Sequence, residues 1–242
     1  MSSTSETGHA KNVANFQKLI DFVTDYGTDY QPSKKNLQLP ALTTLKTAAA
    51  DAISDVLTKN TLYNGKVNDR LEAFKGLRSL STRLVNALQS TDASPETIKD
   101  AKVFNKKIQG KRSATRETPV DPGSVPPNTI STSQQSYDQL IQHFSGLKSL
   151  LENEPSYSPN EVDLQITSLD TLTADLTDKN TEVSKSYTKV SNARIARNKT
   201  LYTEAESLVE TANDVKKYIK SVFGATSPEV AQVKGLEFRK VK

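Results

Sequence analysis

Apolar residues recur along this chain at alternating steps of three and four. In the second half Leu201, Ala205, Leu208, Ala212, Val215, Ile219 and Val222 keep that rhythm. Leu169, Leu172, Leu176, Val183, Tyr187 and Val190 follow it with an interruption at Lys179 or Asn180. The first half repeats the pattern in Leu42, Leu45, Ala49, Ala52 and Val56, and again in Val67, Leu71, Phe74, Leu77, Leu80, Leu84 and Leu88. Such steps place side chains on one face of a helix, as in bundles and coiled coils. The pattern predicts helices near 12–26, 38–62, 65–91 and 95–109, then near 133–152, 160–183 and 186–222, with a short turn after Ser227.

Residues that break or cap helices place the ends. Asn64-Gly65 reads as a turn. No Gly or Pro occurs from Asn160 to Phe223, and one helix of that length would span roughly 95 Å. A hairpin turning near Asp178 to Thr181 is the more compact expectation. Ser94-Pro95-Glu96 and Ser227-Pro228-Glu229 read as an N-cap serine, a proline at the first helical position and an acid in the first turn. Ser158 and Glu161 have the spacing of a capping box. Gly27 and Gly224 suit helix stops.

One stretch cannot be helical. From Thr115 to Thr132, Pro119, Pro122, Pro126 and Pro127 with Gly123 remove donors and fix φ. The two sides of this Pro-rich linker resemble each other in order. Asn15 to Ile20 match Ser136 to Ile141; Tyr30-Gln31-Pro32 matches Tyr157-Ser158-Pro159; Leu37-Gln38-Leu39 matches Leu164-Gln165-Ile166; and Ser94-Pro95-Glu96 matches Ser227-Pro228-Glu229. Preserved order argues for internal duplication. The expected architecture is all-α: two diverged copies of an antiparallel helical bundle or coiled-coil hairpin. It divides into a disordered tail (1–11), helical unit 1 (12–114), the linker (115–132) and helical unit 2 (133–242). On that division, cleavage near the linker leaves two fragments that are each helical.

Composition narrows the function. Cysteine is absent among the 242 residues, which removes disulfides, thiolate metal sites and a cysteine nucleophile, and fits a reducing compartment. Residues 1–10 carry no apolar run of the kind a signal peptide needs, and no stretch is long and apolar enough to span a bilayer, so the expected location is the cytoplasm. Charge is uneven. Residues 1–116 hold 18 Lys and Arg against 11 Asp and Glu, and residues 117–242 hold 14 against 17.

Catalytic constellations are scarce. The histidines are His9, in the expected tail, and His143, read as a surface or seam residue. Gly110-Lys111-Arg112-Ser113 resembles the end of a phosphate loop, but its required earlier glycine is Asn105 and no strand precedes it. Glu204, Glu206 and Glu210, and Asp175, Asp178 and Glu182, read as solvated helix faces because no glycine loop organises their oxygens. The densest feature is basic: Lys99, Lys102, Lys106, Lys107, Lys111, Arg112 and Arg116 fall within 18 residues, with Asp100 the acid among them. On a helix Lys99, Lys102 and Lys106 share a face. Such a stripe can track phosphates; its plain alternative is a solvated helix end where cations suit the helix dipole.

Four stretches carry a resemblance: Asn12 to Phe16, Asn105 to Arg112, Ser191 to Asn198 and Val215 to Pro228. Through them the chain resembles an uncharacterised family of duplicated helical proteins from Bacteroidota. The resemblance implies a shared fold and assigns no site. Taken together, the expectation is a non-enzymatic structural or interaction protein without cofactor or metal, binding itself or partner helices. The alternative is a nucleic-acid-associated protein using the basic stretch at 99–116. A membrane-active role has only the segment Leu42 to Leu57 to rest on, and that segment is too polar to span.

Overall fold

The computed structural model describes residues 4–110 and 135–240, and no strand occurs among them. Eight α-helices follow in order among these residues: α1 (Thr4–Asp25), α2 (Leu39–Phe74), α3 (Leu77–Gln89), α4 (Pro95–Gln109), α5 (Tyr137–Glu152), α6 (Ile166–Asn198), α7 (Leu208–Phe223) and α8 (Pro228–Lys234). A π turn, Lys199–Thr203, extends the end of α6. None of these helices is long and apolar enough to cross a membrane. The expected linker at 115–132 lies outside the described residues.

The chain forms two compact units, and their boundaries cut across the expected division. Unit 1 is Met1–Tyr63 with Ser186–Lys242; unit 2 is Asn64–Lys185. Each unit therefore takes segments from both sides of the linker, not the blocks 12–114 and 133–242. The physical reason is that a 3/4 stripe records that a helix has a buried face without recording which helix covers it.

In unit 1, α7 packs on α1 and on α8. The core joins Phe16, Leu19 and Val23 of α1, Leu42 and Ala49 of α2, Leu208, Ala212, Val215 and Ile219 of α7, and Val233 of α8. In unit 2, α4 packs on α3 and α5. Its core joins Leu77, Leu84 and Leu88 of α3, Ala101 and Ile108 of α4, Phe144, Leu147 and Leu151 of α5, and Leu169 and Leu176 of α6. Burying each of the Val, Leu, Ile and Phe side chains among these contributes about 1.5–3 kcal/mol before chain entropy is counted. The approach of α4 to α5 is close: a Cβ added at Gly146 would collide with Phe104 Cε1.

The entries to α2 and α6 share one device. Tyr30 Oη donates to the Leu37 carbonyl at 2.7 Å, and Tyr157 Oη donates to the Leu164 carbonyl at 2.9 Å. Burial pushes the Tyr157 hydroxyl up to about 12, and the Tyr30 hydroxyl is raised as well, so both remain donors. A 3₁₀ turn precedes each helix, Lys35–Leu37 and Val162–Leu164.

Several helix limits differ from the periodicity reading. The expected tail is helical from Thr4, with His9 buried; its contacts are polar, so an apolar stripe cannot reveal them. Gly65 does not turn the chain. It sits inside α2 with open space around it, and Val56 and Phe74, buried on either side, outweigh a cost of about 1 kcal/mol for glycine in a helix. No hairpin forms near Asp178, because Leu169, Leu176, Val183 and Val190 are buried at every seventh residue along one continuous α6. Lys75 and Gly76 interrupt the expected helix 65–91, and the π turn with residues 204–207 interrupts 186–222. Ser158 caps no α-helix, since α6 begins at Ile166. The caps at Ser94 and Ser227 are present, accepting from Thr97 N at 3.1 Å and Val230 N at 3.2 Å.

Candidate nucleic-acid interface

The basic stripe lies on α4. Ser94 and Pro95 start this helix, and Gly110 ends it in the left-handed region at φ 70°. Ala101 and Ile108 are buried on its inner face, which leaves Lys99, Lys102, Lys106 and Lys107 exposed. The first three share the outer face, with Val103 beside them at 44% exposure. Lys107 stands to one side, its Nζ 6.0 Å from the centre of the Phe104 ring. None of the four lies within ion-pair distance of a described carboxylate. Lys111, Arg112 and Arg116 lie outside the described residues.

A further cation joins this end of the helix. Arg78 on α3 donates from Nε to the Ile108 carbonyl at 3.3 Å and from an Nη to Gln135 Oε1 at 3.0 Å. Gln109 Nε2 returns a bond to the Arg78 carbonyl at 2.7 Å. These bonds satisfy and fix the carbonyl end of α4, where positive charge is also favoured by the helix dipole. Arg78 stands 30 residues from Ile108 in sequence, so no local pattern announces it. The arrangement can hold anionic oxygens along the helix; Phe104, the one aromatic of α4, faces inward, so the helix offers no stacking platform for bases.

Five of the six acidic candidates are engaged in pairs. Glu204 meets Lys199 at 2.9 Å, Glu210 meets Lys240 at 2.8 Å, and Glu206 accepts from Asn36 at 3.2 Å. Asp175 and Glu182 meet Lys179 and Lys185 along α6. Among the described residues no three His, Asp or Glu side chains converge as a metal site would require. His143 is buried in α5 and its Nε2 has no hydrogen-bond partner among the described residues.

One polar cluster escaped the sequence reading. In unit 1 His9 Nδ1 lies 2.5 Å from Tyr202 Oη, and Asn12 Nδ2 donates to the same hydroxyl at 3.2 Å. Asn12 also donates to the Arg239 carbonyl at 2.7 Å and accepts from Arg239 N at 3.1 Å, while Asn15 donates to the Glu237 carbonyl at 2.8 Å. A signal existed: His9, Asn12 and Asn15 step by three along α1, a polar stripe beside Phe16, Leu19 and Val23.

No family model, curated protein or solved structure matches this chain.

Proposed function

We propose that the chain is two diverged copies of one helical unit and serves as a non-enzymatic scaffold that associates with a second copy of itself through α2 and α6. The observation that carries this reading is the exposure of large apolar side chains on those helices. Within unit 1, Leu57 is 67% exposed, Leu62 59%, Tyr187 56% and Ile195 64%. Tyr187 meets Tyr63 with ring centres 5.9 Å apart and is still more than half exposed; large apolar side chains left this exposed on long helices favour burial against another helix.

Duplication is supported by matched burial in a register different from the one first drawn for α1. Phe16, Leu19 and Val23 correspond to Phe144, Leu147 and Leu151, and Leu42, Ala49 and Val56 to Leu169, Leu176 and Val183. Leu77, Leu84 and Leu88 correspond to Leu208, Val215 and Ile219. On this reading each compact unit combines the first helix of one copy with the last two helices of the other. Sedimentation velocity from low to high micromolar concentration tests the scaffold reading: self-association that weakens in Leu57→Gln/Ile195→Gln supports it, and a monomer throughout ends it.

A second reading has its own observation, the unpaired lysine stripe of α4. It is backbone binding of nucleic acid, independent of base sequence and steeply salt-dependent. Fluorescence anisotropy at low salt tests it: Lys102→Glu/Lys106→Glu should abolish the signal, and the absence of wild-type binding disposes of the reading.

A further inference from the structure

Unit 1 contains a segment bound as a peptide ligand would be. After the seven residues of α8 the chain leaves the helix at Gly235 and runs without regular structure from Gly235 to Lys240. Alternate residues face inward: Leu236 and Phe238 pack on the unit 1 core, while Glu237 and Arg239 are exposed. Phe238 meets the edge of Phe16 with ring centres 6.3 Å apart.

The polar groups that hold the segment read mainly its backbone, with one ion pair from Glu210 of α7 to the Lys240 side chain. Asn12 is 2% exposed and makes both a donor and an acceptor contact with Arg239, as a neighbouring strand would. Asn15 is bonded to the Glu237 carbonyl. Lys216 of α7 donates to the Leu236 carbonyl, and its Nζ lies 5.3 Å from the centre of the Phe238 ring. Burial lowers the basicity of this amine. Recognition by backbone plus two alternate apolar side chains is the mode by which grooves bind extended peptides.

We propose that the groove formed by α1 and α7 is an extended-peptide site, and that residues Leu236–Lys240 of a second copy take it in place of the chain's own. The segment joins α8 through Gly235. Its departure removes none of the helix packing of α1, α7 and α8, which is the condition for exchanging an identical element between copies. Its departure would leave Asn15 without the Glu237 carbonyl and Asn12 with only the Tyr202 hydroxyl, and both are buried amides that require a replacement. The chain's own segment competes at an effective concentration of about millimolar, so exchange belongs to high local concentration. This site is separate from the exposed faces of α2 and α6.

Complementation between two full-length variants tests it. Leu236→Ser/Phe238→Ser leaves the groove intact without a fitting segment. Asn12→Ala/Asn15→Ala leaves the segment intact without a groove that holds it. Mixed in equal amounts, they should give a heterodimer in native mass spectrometry at least about tenfold more abundant than either homodimer. The excess should survive Leu57→Gln/Ile195→Gln in both partners, which separates it from association through α2 and α6. No excess heterodimer from two variants that keep their helical circular dichroism overturns the proposal. If either variant loses that signal, a labelled peptide of residues 235–240 is titrated against wild type instead. Binding that disappears when both apolar positions of the peptide carry serine supports the site, and no binding up to about 10 mM, well above the competing effective concentration, overturns it.

Discussion

The two units complete similar cores with different material. In unit 2, α4 runs for 15 residues and buries Ile108 near its end, with Phe104 packed on the core. In unit 1 the corresponding helix, α8, stops after seven residues, and Leu236 and Phe238 of an extended segment supply the apolar groups. The facing helices differ to match. On the proposed correspondence of α1 with α5, Leu140 and His143 stand at the places of Asn12 and Asn15. An extended segment brings unpaired carbonyls and N–H groups and needs amide side chains to meet them, whereas a helix satisfies its own backbone and needs only an apolar surface. The choice between helix and extended segment is therefore written on the partner helix as much as on the segment.

The largest test of this comparison is to cut the chain between the units' shared contributors. Both units draw on residues from either side of 111–134. Trypsin acting at Lys111, Arg112 or Arg116 should leave two fragments that elute together at the mass of the intact chain and separate only in denaturant. Independent, separately helical fragments, as the division at the linker implies, would break the unit assignment.

A smaller effect sharpens it at one position. Gly146→Ala places a Cβ against the Phe104 ring. Phe104 is partly buried and packs against the unit 2 core, so displacing its ring costs packing, and overpacking should cost about 1–3 kcal/mol in urea unfolding. The equivalent place on α1 is Lys18, which is exposed. Lys18→Ala should change stability by less than about 0.5 kcal/mol. Equal effects at the two positions would mean that α4 and the extended segment cover their partner helices alike.

Much of the helical content was legible, because an apolar residue at every third or fourth place marks a buried face without reference to its partner. Gly27 and Gly224, both at positive φ, and the caps at Ser94 and Ser227 were legible for the same local reason. The make-up of the units was not, since Leu208 and Leu77 lie on similar stripes and nothing in either stripe states whether α1 or α5 will cover it. The lysines of α4 were legible as a face, while Arg78 was not, being brought to the helix end by tertiary packing. The extended segment was hidden by its shortness: two alternating apolar residues, Leu236 and Phe238, are too few to establish a period of two.

The smallest expected effect concerns His143 and follows from the same comparison. At the corresponding place in unit 1, Asn15 finds the Glu237 carbonyl. In unit 2 a helix stands where the extended segment would be, its backbone bonded within itself, and Nε2 of His143 has no acceptor or donor among the described residues. Burial, and then the positive charge of Lys107, hold the imidazole below its ordinary value. The sign follows from proton binding. Below about pH 6.5 the unfolded chain takes a proton that the folded chain resists, so stability is unaffected above that pH and falls as pH drops toward the folded value. Paired carboxylates such as Asp163 and Asp214, also lowered in the folded state, lose their contribution only as the pH approaches about 4 and below, which leaves a separate window for the histidine. Urea midpoints measured between pH 7.5 and 5 should decline in the wild type and decline less in His143→Gln. Parallel declines in the two proteins would show that the buried imidazole gains its proton as readily in the folded chain as in the unfolded one, and that α4 does not seal unit 2 as this comparison requires.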